Sequence, residues 1–471
     1  MNYISTRGEA PPLSFEDAVM RGLAPDGGLF LPQSVPNMGD ALPEWRGLPF
    51  AALFARVVAP YLGGALDAET LRAMADRSYA VFSHPDVTPV VRVGSQHVCE
   101  LFHGPTLAFK DVALQFLGNL FEHFLARRGE RLTIAGATSG DTGSAAIHAL
   151  KGRQGVEVFI LYPHGRVSPM QEAQMVTVPE ENIHCIAVEG SFDDAQALVK
   201  SMFNDAAFNA EYSLGAINSI NWARVMAQVT YFFHAYFQVL DAEGGMQVGD
   251  PVIFAVPTGN FGHIYAGTLA RRMGLPIERL VLATNENAIL ANWLETGRYQ
   301  RGEARQTLSP SMDIQVASNF ERYLYDLAAG QNGPESAGAA VRGWMGELAN
   351  TGGFTLEQGL MERARHDFLA QSVDDAQTVE TIRQVHKAHG YLLDPHSAVS
   401  YRAAQAHVGG APVITMATAH PAKFSAAITQ AIGRPPELPP ALAALEGLPK
   451  RREVLSADLA GVQQYIREVL A

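Results

Sequence analysis

The chain has 471 residues, 47% apolar and 18% charged, with 43 glycines and 27 prolines spread along its length. That is the make-up of an ordinary globular protein with material for two or three cores, not of a disordered chain. The formal charge of −13 argues against nucleic acid or an anionic membrane as a partner, because both require basic patches. An anionic small molecule has to be met by a local positive site.

The opening segment MNYISTRGEAPP lacks the apolar stretch of a signal peptide, and no run approaches the ~18 apolar residues of a membrane span. Cys99 and Cys185 carry no CxxC or histidine spacing. Neither a disulfide nor a metal site is expected, and a reducing cytoplasm fits. Residues 1–94 read as a helical front module, in which Ser14 and its acidic neighbours cap a helix through Ala18–Leu23 and APDGGLFL (24–31) forms a tight turn. From about residue 95 short apolar runs alternate with glycine-rich turns and helical periodicity. Strands are expected at Leu132–Ala135, Val156–Leu161, Ile183–Val188, Val252–Val256, Leu280–Ala283 and Val413–Met416. Helices are expected at Ser144–Leu150, Asp193–Met202 and His263–Met273, and a buried one through Tyr231–Leu240. This alternation predicts parallel α/β sheets. Residues 95–245 are expected to form a small α/β domain, 246–430 a large one, and 431–471, entered through RPPELPP, a tail packing on the core. DAEGGMQVGD (241–250) and Gln331–Gly338 read as loops.

Five segments carry groups suited to chemistry. In FHGPTLAFKD, Lys110 follows Leu107, Ala108 and Phe109. An amine in apolar surroundings has the lowered basicity needed to form a Schiff base or act as a base near neutrality. Taken alone, a lysine beside an aspartate is more often a surface ion pair. ATSGDTG (137–143) links a strand to a helix. Its hydroxyls at Thr138, Ser139 and Thr142, with main-chain amides, suit a carboxylate or phosphate; the plainer alternative is a helix capped by Ser139 or Asp141. In NSINWAR, Asn218, Ser219 and Arg224 can converge on a phosphate, although an arginine one turn into a helix is commonly just a surface group. TGNFG (258–262) follows a strand and opens a helix, so its N–H groups can hold an anion without a lysine; it can equally be a plain βα turn. TAHPAKF (418–424) places Thr418 at the C-terminal end of a strand, where open α/β sheets bind ligands, or in an ordinary turn before Pro421.

Each signal is weak alone, but their order is informative: a lysine strand, a Ser/Gly loop, a glycine-rich loop, then a late threonine. That is the layout of fold-type II pyridoxal-phosphate (PLP) enzymes. The strings YISTRG, GLAPDGGLFLP, LFHGPTLAFKD, ATSGDTGSAA, INSINWAR, PTGNFG and ATAHPAKF, spanning residues 3 to 424, resemble those of threonine synthases of the bacterial and fungal type. The resemblance implies two open, mostly parallel α/β sheets with PLP between domains, and a carbon–oxygen lyase making L-threonine and phosphate from O-phospho-L-homoserine and water. It implies that Lys110 holds PLP and carries protons, and that Gly259, Asn260, Phe261 and Gly262 bind the cofactor phosphate. Thr418 hydrogen-bonds the pyridine nitrogen, and Asp141 stands where related enzymes place an asparagine near the ring hydroxyl. Thr138, Ser139 and Thr142 take the substrate carboxylate. Asn218, Ser219, Arg224 and Asn260 take the substrate phosphate. No metal or nucleic-acid partner is implied, and the protein is expected to act as a monomer or homodimer. The rival readings are a PLP phospho-lyase that eliminates phosphate without hydration, and a non-catalytic PLP-binding relative. A nucleotide-binding α/β protein is disfavoured by the lack of Gly-x-Gly-x-x-Gly or a Walker lysine.

Overall fold

Strands alternate with helices along most of the chain and collect into two main sheets. The computed structural model describes residues 1–138 and 140–471. Its two compact units are both discontinuous in sequence: residues 1–103 with 219–436, and residues 104–218 with 437–471.

The first unit holds a six-stranded sheet in the order Phe368–Ser372, Ile277–Thr284, Val252–Pro257, Val413–Ala417, Gln96–Glu100, Val90–Val93. All neighbours are parallel except the last pair. The central strands are apolar but for Thr415 and buried from end to end, as a sheet covered on both faces requires. Val252–Pro257 and Val413–Ala417 are hydrogen-bonded neighbours, so the segments that follow them, TGNFG and Thr418, emerge side by side at the sheet's C-terminal edge. The front module of this unit is helical, as expected, with Ser14 capping Phe15–Arg21 through its side chain. It also contains a small antiparallel pair, Tyr3–Ser5 with Phe30–Pro32. The helix Trp222–Ala242 runs through the core with nearly every side chain buried. Trp222 Nε1 donates to Tyr3 Oη (3.0 Å), which donates to the Tyr61 carbonyl (2.7 Å). The start of this helix is thereby tied to the front module.

The second unit holds an all-parallel five-stranded sheet in the order Glu453–Ser456, Ile183–Glu189, Val156–Pro163, Leu132–Ala137, Leu214–Gly215. The terminal segment is thus more than a tail. It adds an edge strand and the helix Leu459–Leu470, which buries Val462 and Ile466 against Phe159, Ile186 and Val188.

Two local expectations need correction. Lys110 does not lie on a strand; it is the first residue of the 19-residue helix Lys110–Arg128. From Asp111 to Phe121 every residue is buried whichever face it lies on, which removes the amphipathic stripe by which a helix is recognised. Gln331–Gly338 is not a loop: Gly333 alone separates the helices Phe320–Asn332 and Pro334–Thr351. Pro334 occupies a first-turn position, where its missing N–H costs nothing, so its Gly-Pro-Ser composition marks a helix restart.

Candidate functional site

In the second unit, the residues before Lys110 are fixed by a buried carboxylate. Asp111 accepts from Thr106 N (2.8 Å) and Thr106 Oγ1 (2.7 Å). A Cβ at Gly104 would come within 2.4 Å of the Asp111 side chain, so only glycine permits this turn. Leu107 adopts a left-handed φ of 58°, a costly conformation for a branched side chain that surrounding packing must hold in place. Lys110 then points its largely buried amine to 3.7 Å from Asp141 Oδ2 and lies 5.5 Å from the Phe109 ring centroid.

Asp141 opens the helix Asp141–Leu150, and its other oxygen accepts from Gln171 Nε2 at 2.9 Å. A carboxylate here complements the positive helix end. The cap differs from both alternatives read from sequence. The N-cap is Gly140, with φ 145°, and the side chain that closes the turn is Thr138, whose Oγ1 accepts from Gly140 N (3.0 Å) and Gly143 N (2.9 Å). Gly140 holds a φ that L side chains rarely adopt, and a Cβ there would lie 2.5 Å from the Gln171 amide carbon. Thr142 is half-buried in the first turn. Ser139 lies outside the described residues. Lys110, Thr138 and Asp141 are therefore brought onto the starts of two packed helices.

In the first unit, TGNFG leaves the strand Val252–Pro257 and enters the helix Gly262–Arg272. Thr258 is used structurally, its N–H bonding the Ala283 carbonyl (2.8 Å) and its hydroxyl the Val256 carbonyl (2.8 Å). The N–H groups of Gly259, Asn260, Phe261 and Gly262 have no acceptor among the described residues. Phe261 is held at a left-handed φ of 65° by the rings of Phe320 (5.2 Å), Tyr323 (5.9 Å) and Phe368 (5.8 Å). Main-chain donors at a positive helix end, without acceptors among the described residues, are suited to an anion.

The same unit brings Ser219 to Asn260. Ser318 Oγ lies 3.0 Å from Ser219 Oγ and donates to Asn260 Oδ1 at 3.3 Å. Asn319 Nδ2 bonds the carbonyls of both Ser219 (3.0 Å) and Asn260 (3.1 Å). Arg322, fully buried, clasps Asn319 Oδ1, the Ile220 carbonyl (2.6 Å) and the Phe30 carbonyl (2.9 Å). Arg224, one turn into its helix, is no surface residue: it is 4% exposed, and its Nε and Nη1 have no partner among the described residues. Burial lowers its pKa to about 10. Asn218 is half-buried, and the chain passes from one unit to the other just after it. Thr418, 6% exposed, hangs by its N–H from Ser397 Oγ at 3.1 Å.

Sequence reasoning missed the supporting layer of Ser318, Asn319, Arg322, Asp394, His396 and Ser397. The one local signal was Asp394-Pro395-His396-Ser397, an acidic cap followed by proline at the first helical position. Both cysteines are buried free thiols, and burial pushes Cys185 up to about 12. Among the described residues no helix is long and apolar enough to cross a membrane.

Two parallel-sheet units, a lysine heading a helix and a lysine-free anion loop are features of fold-type II PLP-dependent enzymes, and the family model described as pyridoxal-phosphate dependent enzyme matches residues 88–361. Flanking it, threonine synthase N terminus matches residues 2–79 and threonine synthase, C-terminal, matches 397–466. The chain is 46% identical to the threonine synthase of Pseudomonas aeruginosa, over 99% of this chain and 98% of that one. The crystal structure of PLP-bound threonine synthase from Brucella melitensis superposes with a TM-score of 0.94 at 47% identity, covering 100% and 99% of the two chains. Threonine synthase from yeast gives 0.95 at 43%, covering 100% and 98%. The chain belongs to the threonine synthase family. Its own residues fit the cofactor: four unsatisfied N–H groups suit a phosphate, and the near-buried Lys110 amine suits an aldehyde.

Proposed function

We propose that this enzyme converts O-phospho-L-homoserine and water into L-threonine and phosphate. The observation that carries the reading is two separate sets of donors in one unit without acceptors among the described residues: the N–H groups of Gly259–Gly262, and Nε and Nη1 of the buried Arg224 guanidinium. A phosphorylated cofactor accounts for one and a phosphorylated substrate for the other.

When bound, PLP spreads the negative charge left on the substrate as protons leave carbon. Lys110 would hold the cofactor through Nζ and, as a tethered amine, would take a proton from Cα; a second proton leaves Cβ as the Cγ–O bond to phosphate breaks, and a proton returned at Cγ, water added at Cβ and a proton returned at Cα complete L-threonine. The tether of Lys110 on the first turn of a packed helix keeps its nitrogen within reach. Thr418 would offer the pyridine nitrogen a neutral hydroxyl, which would leave that nitrogen largely unprotonated. Asp141 lies beside Lys110, where related enzymes place an asparagine near the ring hydroxyl. Ser139 and Thr142, with Thr138 closing their loop, hold the substrate carboxylate. Asn218, Ser219, Asn260 and Arg224 hold its phosphate, Arg224 by parallel charge-assisted hydrogen bonds. Protonated, buried thiols suit a reducing cytoplasm, and the chain acts as a monomer or homodimer.

The test is phosphate release from O-phospho-L-homoserine with the organic product identified. L-Threonine in step with phosphate is expected. 2-Oxobutyrate in its place would make the protein a phospho-lyase, and absence of phosphate release would reject both.

A further inference from the structure

Thr418 and the Gly259 loop emerge from adjacent strands, yet nothing in the sheet fixes their spacing once the chain leaves it. A buried cluster does so. Asp394 caps the helix Pro395–Ala404 and is 1% exposed. Its Oδ1 accepts from His396 N (2.9 Å) and His396 Nδ1 (2.8 Å). Its Oδ2 accepts from Ser397 N (3.3 Å) and from the Ser397 hydroxyl. Capping needs only the two main-chain donors. The imidazole and hydroxyl are additional, and each leads to a proposed cofactor contact.

Ser397 Oγ, with its proton committed to Asp394, accepts the Thr418 N–H at 3.1 Å. His396, with Nδ1–H committed to the same carboxylate, has Nε2 free as an acceptor and takes the Ser311 N–H at 3.2 Å. Ser311 in turn packs on the anion loop, since a Cβ on Gly259 would come 2.7 Å from its carbonyl oxygen. His396 is 3% and Ser397 1% exposed, and the Phe424 ring lies edge-on to the imidazole at 4.9 Å. With Nδ1–H given to the buried Asp394 carboxylate, Nε2 is left as the acceptor for Ser311.

We infer that Asp394 is a positioning residue with two arms, Ser397 to Thr418 and His396 through Ser311 to Gly259, which together set the distance between the group that meets the cofactor's ring nitrogen and the loop that meets its phosphate. The inference rests on the PLP roles proposed for Thr418 and Gly259–Gly262. Because the arms diverge from one carboxylate, they can be cut separately. His396→Asn keeps a donor near Asp394 but withdraws the acceptor from Ser311; His396→Gln places an acceptor near the Nε2 position; Ser397→Ala cuts the other arm.

The readouts are the ³¹P resonance of the bound cofactor, its visible absorption maximum and its rate of loss on dilution, all in full-length holoenzyme. His396→Asn is expected to shift the ³¹P resonance and speed cofactor loss about ten-fold, the scale on which supporting-layer changes act, with the absorption maximum unmoved. His396→Gln should restore the resonance. Ser397→Ala should move the absorption maximum and leave phosphorus unchanged, and it tests its own arm even if His396→Asn does not fold. Both signals moving together in every variant, or neither moving, would overturn the inference. A wild-type protein with no visible band and no bound phosphorus would instead overturn the PLP reading beneath it.

Discussion

Arg224 is a guanidinium buried without a counter-ion among the described residues, and that has a thermodynamic signature. A buried donor left unsatisfied costs about 1–3 kcal/mol, more when charged. Its pKa is lowered to about 10 by burial, so the fold disfavours the charged form at every pH below that, and the cost is relieved only as pH rises above about 10. Arg224→Met, similar in shape and uncharged, is therefore expected to raise the melting temperature of ligand-free protein while lowering kcat/KM for O-phospho-L-homoserine by about 10²–10³-fold, the cost of removing one partner of a buried charge pair. PLP content should stay at the wild-type level; loss of cofactor along with activity would make Arg224 structural. At Lys110 the expectation is reversed. Lys110→Ala should abolish cofactor absorbance above about 400 nm together with turnover, and a variant that keeps the band would place the covalent link elsewhere.

At the scale of elements, the Lys110–Asp141 approach depends on how two helices pack. Eight residues on from each, Gly118 of Lys110–Arg128 lies against Ala149 of Asp141–Leu150, where a Cβ would come 2.2 Å from the Ala149 carbonyl oxygen. The helices thus run side by side in the same direction, with Lys110 and Asp141 at their starts. Gly118→Ala should force them apart. A loss of about 1–3 kcal/mol from overpacking is expected, together with weaker PLP retention, measured by urea unfolding and cofactor absorbance. Unchanged values in both would mean that the contact relaxes without moving Lys110. Strand-loop-helix segments such as Val252–Pro257 with TGNFG were legible because a buried parallel strand is a plain apolar run and the glycines punctuate it. The helix of Lys110 was not, since a uniformly buried helix has no periodic face. Gln96–Glu100 also escaped notice: Gln96 and His97 are polar, and they are buried only because tertiary partners satisfy them, as Tyr401 O and Thr415 Oγ1 do for Gln96.

For the whole molecule, a contiguous division into modules follows from reading along the chain, whereas the units interleave: the chain crosses at 103/104, inside FHGPT, at 218/219, inside NSINWAR, and at 436/437, inside RPPELPP. Parallel strands explain why composition does not reveal this. Glu453–Ser456 joins Ile183–Glu189 across more than 260 residues, and no local pattern encodes a partner that remote. The same tertiary burial governs acid stability. His234 Nδ1 lies 3.0 Å from Thr88 Oγ1 and 2.9 Å from Gln238 Nε2, with the Phe50 ring at 5.2 Å. Burial lowers its pKa from 6.5 to about 4, and burial alone takes His263 to about 3. Both folded values lie below the unfolded one, so between about pH 6.5 and 4 the unfolded chain binds protons that the fold refuses. Stability is therefore independent of these groups above about pH 6.5 and falls as pH drops through that window, by on the order of 3 kcal/mol for His234 at 1.36 kcal/mol per pKa unit. His234→Asn keeps an acceptor near Nδ1 and removes the titration. Denaturant midpoints measured from pH 7 down to 4.5 should fall less steeply in this variant than in wild type, and parallel slopes would mean that His234 takes up its proton without unfolding.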